Sequence, residues 1–243
     1  MARPSHKLEG RLEILEKAAV AIAAQGYHGM SMRALAAALG KSLAGFYNYY
    51  RSKEELLFDL QLRAFESLVQ SAEQVTADIV DPGERLYAFM LQHLRYVASH
   101  HAVMQVLVQE ASTLAPGRRR PIRAAKERYF ELGRAVVAGA MQAERCVPGK
   151  RAPAVDPSEL DRQTYAVFGM LNWTYGWYHA DEHGTPEQLA RSFQRLALCG
   201  LRPECPRAAD VAGVERVLRD RPSPPLLQLV KPAPRPARRK ATP

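Results

Sequence analysis

Only three cysteines occur in the 243 residues, Cys146, Cys199 and Cys205, and none stands in a CxxC pair. Three thiols make no closed disulfide framework, so the expected environment is reducing, with the cysteines acting as small apolar fillers. No stretch reaches the ~18 apolar residues that a membrane-crossing helix requires, and no membrane partner is expected. The opening Met-Ala-Arg-Pro-Ser-His-Lys has no apolar run ahead of its charges. A signal peptide is therefore not expected, and the expected location is the cytoplasm. Alternating apolar and polar runs rich in β-branched residues are missing too, which argues against strands. There is no GxSxG, no Walker loop and no GxGxxG, so neither an enzyme nor a bound cofactor is expected.

Acid is missing from one particular place. Lys17 through Lys53 contain no Asp or Glu, while Lys17, Arg33, Lys41, Arg51 and Lys53 all fall there. The chain as a whole carries a net charge of +9, which makes a polyanion a partner worth testing. A second basic region, residues 202–243, holds ten Lys/Arg against four Asp/Glu and nine of the 17 prolines. So many absent backbone donors and so few apolar residues predict a disordered basic tail, with a short helix around Asp210–Leu218. Its expected contribution is non-specific phosphate attraction at most. The rest, 47% apolar and 24% charged across the chain, has ordinary globular composition and enough length for a sizeable core.

What is present is a succession of capped helices. Ile14, Ala18 and Ile22 follow 3–4 spacing and predict a helix over 8–25 that stops at Gly26. Ser31 caps a short helix over 32–39, which Gly40 ends, and Ser42–Asn48 forms another. Ser52-Lys53-Glu54-Glu55 is a capping box opening a long helix to about Ala77. Asp81-Pro82, Asp156-Pro157 and Thr185-Pro186 each set a cap before a proline at the first helical position. They predict helices near 83–99, 157–181 and 186–199, the last closed by Gly200. Two more are expected over 102–114 and 119–145, with loops at Pro116-Gly117 and 146–156. The fold class is all-α, about nine helices without a sheet.

Two short helices about a glycine meet the requirements of a helix-turn-helix, whose second helix enters the major groove. Too short to stand alone, they must pack Leu35, Ala36, Leu39, Phe46 and Tyr50 against Ile14, Ala18 and Ile22. The string Gly26-Tyr27, Ser31-Met32-Arg33-Ala34-Leu35-Ala36, Leu39-Gly40-Lys41-Ser42 and Phe46-Tyr47-Asn48-Tyr49-Tyr50-Arg51-Ser52-Lys53-Glu54-Glu55-Leu56 closely resembles the N-terminal domain of TetR/AcrR-family transcriptional regulators. The likeness runs over about residues 10–58. It implies an all-helical homodimer, a repressor released from a palindromic operator by a small-molecule effector. Residues 1–58 correspond to the DNA-binding domain, 59–201 to the ligand-binding and dimerisation bundle, and 202–243 to the basic tail.

The resemblance also assigns roles. Ser31 caps the bracing helix and offers a phosphate contact, and Arg33 stands where the family often reads a guanine. Leu43, Ala44 and Gly45 occupy the base-facing side of the second helix, where close approach and shape dominate. Ser42, Tyr47, Tyr49 and Lys53 fit phosphate contacts. Tyr49 replaces a phosphate-binding His common in the family, and Asn48 stands where it can reach a base or phosphate instead. Phe46 and Tyr50 are read as packing.

The aromatic-rich segment Gly169 to Tyr178, followed by the amphipathic stretch Gly184 to Leu201, resembles the last two helices of a subgroup that senses acyl-CoA thioesters. That implies a homodimer through these two helices. The expected pocket draws on Met104, Leu107, Val108, Tyr129, Phe130, Phe168 and Trp173, with Arg118, Arg119, Arg120 and Arg123 for the phosphates of an acyl-CoA. Packing competes with this reading for Trp173, and a solvated loop for the arginines. His179-Ala180-Asp181-Glu182-His183 formally fits an inverted zinc motif, but it lies at a helix end without a third ligand, and no metal is expected. His93, His100 and His101 are read as solvated or capping residues in preference to metal or effector contacts. Two alternatives are a drug-like or other apolar effector and a non-regulatory DNA-binding or architectural protein that relies on the basic tail.

Overall fold

A computed structural model describes residues 6–144 and 154–201. It contains ten α-helices and no strand among the described residues: α1 (His6–Gln25), α2 (Met32–Ala38), α3 (Leu43–Tyr47), α4 (Lys53–Thr76), α5 (Pro82–Ser99), α6 (His101–Gln109), α7 (Pro116–Glu144), α8 (Pro157–Trp173), α9 (Ala180–His183) and α10 (Pro186–Leu201). All lie in the compact unit Met1–Pro203. The expected tail, Cys146, Cys205 and most of the predicted 146–156 loop lie outside the described residues.

The serine and aspartate caps form as local chemistry dictates. Ser31, Ser42 and Ser52 accept the backbone N–H of Ala34, Gly45 and Glu55, each at 3.1 Å. Glu55 reaches back one residue farther than expected, accepting from Arg51 N–H at 2.8 Å. Asp81 and Asp156 cap α5 and α8, with proline in the first turn of each. Gly26 and Gly40 take φ of +75° and +65°, the left-handed conformation that ends α1 and turns the chain between α2 and α3.

Three helix ends depart from expectation, each for a stated reason. Helix α7 begins at Pro116, so Pro116-Gly117 is the first turn of a helix and not a loop. Proline suits that position, but the preceding Ala115 offers no side-chain cap to announce it. Helix α6 stops at Gln109 instead of 114, because Glu110 turns away to bond the loop after α1. The predicted 157–181 helix ends at Trp173 in a 3-10 turn, Thr174–Gly176, where the buried Thr174 hydroxyl donates to Leu171 O at 2.6 Å. His101 Nε2 meets Tyr175 O at 2.6 Å and holds that turn against α6.

One core runs through the unit. Ile14, Ala18 and Ile22 of α1 are buried together with Leu35, Ala36, Leu39, Phe46 and Tyr50. Helix α4 passes without interruption from this head into the body, where it packs against α5 and α7. Cys199 is exposed on α10 and is not a core filler.

Candidate nucleic-acid interface and ligand cavity

In the head, Phe46 and Tyr50 sit one turn apart and are both fully buried, which fixes the face that α3 turns outward. The Tyr50 hydroxyl donates to Asp59 Oδ2 at 2.8 Å, and Asp59 also pairs with Arg11 at 3.1 Å and Arg63 at 2.7 Å. Arg11 lies 4.8 Å over the Tyr50 ring. Burial pushes the Tyr50 phenol well above its ordinary range, so it stays a donor. The opposite side of the motif is open. Ser31, Arg33, Ser42, Ala44, Tyr47 and Asn48 are exposed, and Leu43, Gly45 and Tyr49 are half-buried. The Ser31 and Ser42 oxygens are occupied as caps, which leaves each hydroxyl proton to donate outward.

Two of the expected phosphate contacts have structural partners. Lys53 Nζ donates to Tyr27 O at 2.7 Å and Met30 O at 2.8 Å, and it lies 4.3 Å over the Tyr27 ring. It clasps the loop between α1 and α2 to the start of α4, with one of its three ammonium hydrogens left over. Tyr49 packs its ring beside Gly10 of α1, where an added Cβ would lie 2.9 Å from the hydroxyl, and Lys41 Nζ is 5.5 Å from its centroid. Both are clasps first, a function their spacing in the sequence does not reveal.

The body contains a partly open cavity of about 380 Å3 between α4, α5, α6, α7 and α8. Six expected residues line it: Met104, Leu107, Val108, Tyr129, Phe130 and Phe168. Beside it lies a second cavity of about 250 Å3, lined by Arg119 and Arg123. The two share Phe65, Leu107, Ala111 and Lys126 as walls. An apolar chamber thus opens toward three cations of α7, residues 119, 123 and 126, which the helical repeat places on one face.

Three expected lining residues are not brought there. Trp173 is 67% exposed, because it stands five residues beyond Phe168 and hence roughly 140° around α8 from it. Arg118 faces α4, 3.8 Å from Glu54 and 5.5 Å from the Phe58 ring. Arg120 is exposed, about a quarter-turn around α7 from the face that carries Arg119, Arg123 and Lys126.

His93 corrects a further expectation. It is 1% exposed and lines the cavity, with Nδ1 2.8 Å from the Tyr129 hydroxyl and Nε2 without a hydrogen-bond partner. Burial lowers its pKa to about 4, so the ring is neutral at pH 7. Arg119 Nε is likewise buried and unpartnered. Sequence reasoning missed Phe65, Lys126, Tyr165 and Asn172 as lining residues. The one signal for them is their 3–4 spacing with other lining residues of their own helices α4, α7 and α8. His179 and His183 of the zinc-like motif sit together, His179 N–H meeting His183 Nδ1 at 3.2 Å, but no cluster of metal-ligating side chains occurs among the described residues.

Helix α6 joins cavity and head. Along one wall it supplies Met104, Leu107 and Val108, and just past its end Glu110 accepts Tyr27 N–H at 3.2 Å. Gln61 donates to Glu110 O at 2.9 Å, and Gln105 donates to Ala23 O at 3.2 Å.

Residues 14–60 match the family model described as bacterial regulatory proteins, tetR family, and residues 80–201 match the tetracyclin repressor-like C-terminal domain. The structure is similar to that of the TetR-family transcriptional regulator PfmR from Thermus thermophilus, at 32% identity and TM-score 0.66, covering 76% of this chain and 96% of that one. It is also similar to AibR in complex with isovaleryl coenzyme A and operator DNA, at 28% identity and TM-score 0.65, with the same two coverages of 76% and 96%. Among curated relatives, the HTH-type transcriptional repressor KstR2 of Mycobacterium tuberculosis is 28% identical over 105 residues, 43% of this chain and 52% of that protein. The chain therefore spans about half the length of the curated relatives it matches. No helix among the described residues is long and apolar enough to cross a membrane. With both halves matched and a solved relative covered almost end to end, the chain belongs to the TetR family of bacterial regulatory proteins.

Proposed function

We propose that the chain is a ligand-responsive, DNA-binding transcriptional repressor that works as a homodimer on a palindromic operator. The observation that carries this reading is the outward face of α2 and α3. It is acid-free, rigidly capped, and held from behind by the buried Phe46 and Tyr50. Arg33 is the base-reading group by this account, suited to guanine through its planar fork. Ala44 and Gly45 let the backbone of α3 approach the groove closely, Leu43 faces a base edge, and Asn48 reaches a base or phosphate. Ser31, Ser42, Tyr47 and Tyr49 then serve the phosphates, with Lys53 stiffening the platform and lending charge.

The dimer uses α8 and α10. Tyr165, Trp173 and Leu196 are 66%, 67% and 64% exposed on these helices, an unusual outlay of large apolar surface for a lone protomer. Trp173 therefore belongs to the interface in this reading. Residues 1–58 read DNA and residues 59–201 hold the effector and the interface, with α4 as the stem between them.

The effector is an acyl-CoA thioester. Support comes from the pairing of an apolar chamber with Arg119, Arg123 and Lys126 at its side, where an anion meets charge-assisted donors. The buried, unpartnered Arg119 Nε adds to it, as does the likeness to AibR with its coenzyme A ester. An acyl chain among Leu107, Phe130 and Phe168 displaces α6. Through Glu110 and Gln105 that shift carries the end of α1 and the loop before α2, so the two heads no longer match successive major grooves. The effector acts through its differential affinity for the two conformers.

Fluorescence anisotropy with duplexes selected from a random pool, repeated with graded acyl-CoA, tests the reading. Expected are a palindromic consensus, at least about a thousandfold preference over random DNA, and release by acyl-CoA. Equal affinity for all duplexes would remove the repressor reading.

A further inference from the structure

His93 and Tyr129 form a polar pair inside a mostly apolar chamber, whose other polar lining residues include Lys126 and Asn172, and the pair is incomplete. Tyr129 makes its one side-chain hydrogen bond among the described residues to His93 Nδ1, at 2.8 Å. If the imidazole proton sat on Nδ1, both the phenol proton and the Nε2 lone pair would be left unmet in a buried site. With the proton on Nε2, Nδ1 accepts from the phenol and a single donor, Nε2–H, remains. The second tautomer leaves fewer buried groups unsatisfied and is the one the surroundings select. Histidine is also a poor choice for filling space among Phe65, Leu68 and Phe168, where a phenylalanine would have the right shape and no donor to satisfy.

We propose that His93 reads a carbonyl oxygen in the buried part of the effector by donating its Nε2–H to it, so that the cavity selects ligands bearing a carbonyl over hydrocarbon chains of equal length. The inference rests on the acyl-CoA reading above and names the atom that is recognised. Its placement fits that ligand. Arg123 and Arg119 precede Tyr129 on α7 by six and ten residues, which at the helical rise is about 9 and 15 Å. A ligand anchored at the arginines therefore needs a connecting arm of about that reach along α7 before a carbonyl meets His93. The oxygen is the thioester carbonyl if that spacing governs, or an oxo group farther along the acyl chain if the ligand sits deeper. A site built to hydrogen-bond a group rejects the analogue without it, because the buried donor is then stranded.

Three probes separate these outcomes: octanoyl-CoA, its thioether S-octyl-CoA, and the thioether S-(4-oxooctyl)-CoA. Binding to the full chain is measured by titration calorimetry. Octanoyl-CoA is expected to bind about tenfold or more tightly than S-octyl-CoA. Recovery of affinity by the oxooctyl thioether beyond that of octanoyl-CoA would instead assign the carbonyl to the chain. In His93→Phe, which keeps the shape of the ring, all three should bind within about twofold of one another. His93→Gln, which retains a donor, should keep part of the preference, and thermal melts confirm that both variants fold. A preference that survives in a folded His93→Phe, or equal binding of all three probes by the wild type, would overturn the inference and leave the acyl-CoA reading standing. If no coenzyme A ester binds or releases DNA, the effector reading falls and takes this inference with it.

Discussion

In the head, the three serine caps each receive a backbone N–H at 3.1 Å, Lys53 bridges two carbonyls, and Asp59 gathers Tyr50, Arg11 and Arg63. In the body, His93 Nε2 and Arg119 Nε are buried beside open space with nothing to bond. The two regions share the same all-helical make-up and differ in where unpartnered polar atoms fall: the head leaves Arg11 Nε unbonded inside an ion-paired cluster, whereas in the body those of His93 and Arg119 belong to residues that line open space. A surface that must match a rigid duplex gains from having its helices locked before contact, since ordering them on binding would cost entropy. A chamber that must report a ligand gains from groups that only the ligand completes, since these give the two conformers different affinities for it.

Head and body should respond differently to substitution. The largest effect is expected from Phe46→Ala, which removes a ring with 0% exposure from the core of the head. It should cost about 3–5 kcal/mol in chemical denaturation and abolish DNA binding. A head that tolerates the change would not be the locked platform described. On the body side, the His93 pKa is about 4 when folded against an ordinary 6.5. Between those values the unfolded chain binds the extra proton, so this contribution to stability is complete above pH 6.5 and is lost as pH falls toward 4. The loss amounts to at most about 3 kcal/mol, and urea titrations across that range should flatten in His93→Phe.

Arg33→Ala should weaken binding to the selected operator by about 1–3 kcal/mol and relax base preference at one position per half-site. An equal loss on random DNA would assign Arg33 to the phosphates. Glu110→Ala tests the link between the regions. Affinity for DNA without ligand should change little, while release by acyl-CoA should weaken by about 1–2 kcal/mol of coupling, read as a shift in the ligand dose that halves anisotropy. The smallest change is Ser42→Ala, worth about 1 kcal/mol of stability through loss of the α3 cap. Thermal melts would show it, and an effect confined to DNA affinity would mean the hydroxyl serves a phosphate and not the helix.

The head is largely legible in the amino-acid sequence. The acid-free window and the string from Gly26 to Leu56 mark the segment whose polar side the structure leaves exposed, and Phe46 and Tyr50 are expected in the core, where they lie. The body is harder. Six of its expected lining residues face the cavity, but Trp173 and Arg120 point elsewhere and Arg118 turns to Glu54. Their residue types suit a ligand; their angle around the helix does not, and residue spacing fixes that angle only relative to neighbours on the same helix, not which face meets the other helices. Pro116 shows the same limit, since a proline without a polar cap ahead of it gives no local sign that a helix begins. His93 reads as a solvated residue because one histidine in an amphipathic helix carries no mark of which neighbours will cover it.

Local order is thus set by the chain alone. Serine and aspartate caps, glycines with positive φ and the 3–4 apolar rhythm act over a few residues, and their energies do not depend on distant partners. Tertiary structure decided everything that needed two separated segments: the end of α6 at Glu110, the clasp of Lys53 on the loop after α1, and the meeting of His93 with Tyr129. Each depends on burial and on a partner 26 or more residues away. Such a partner becomes available only when loop closure has been offset by the packing of the whole core.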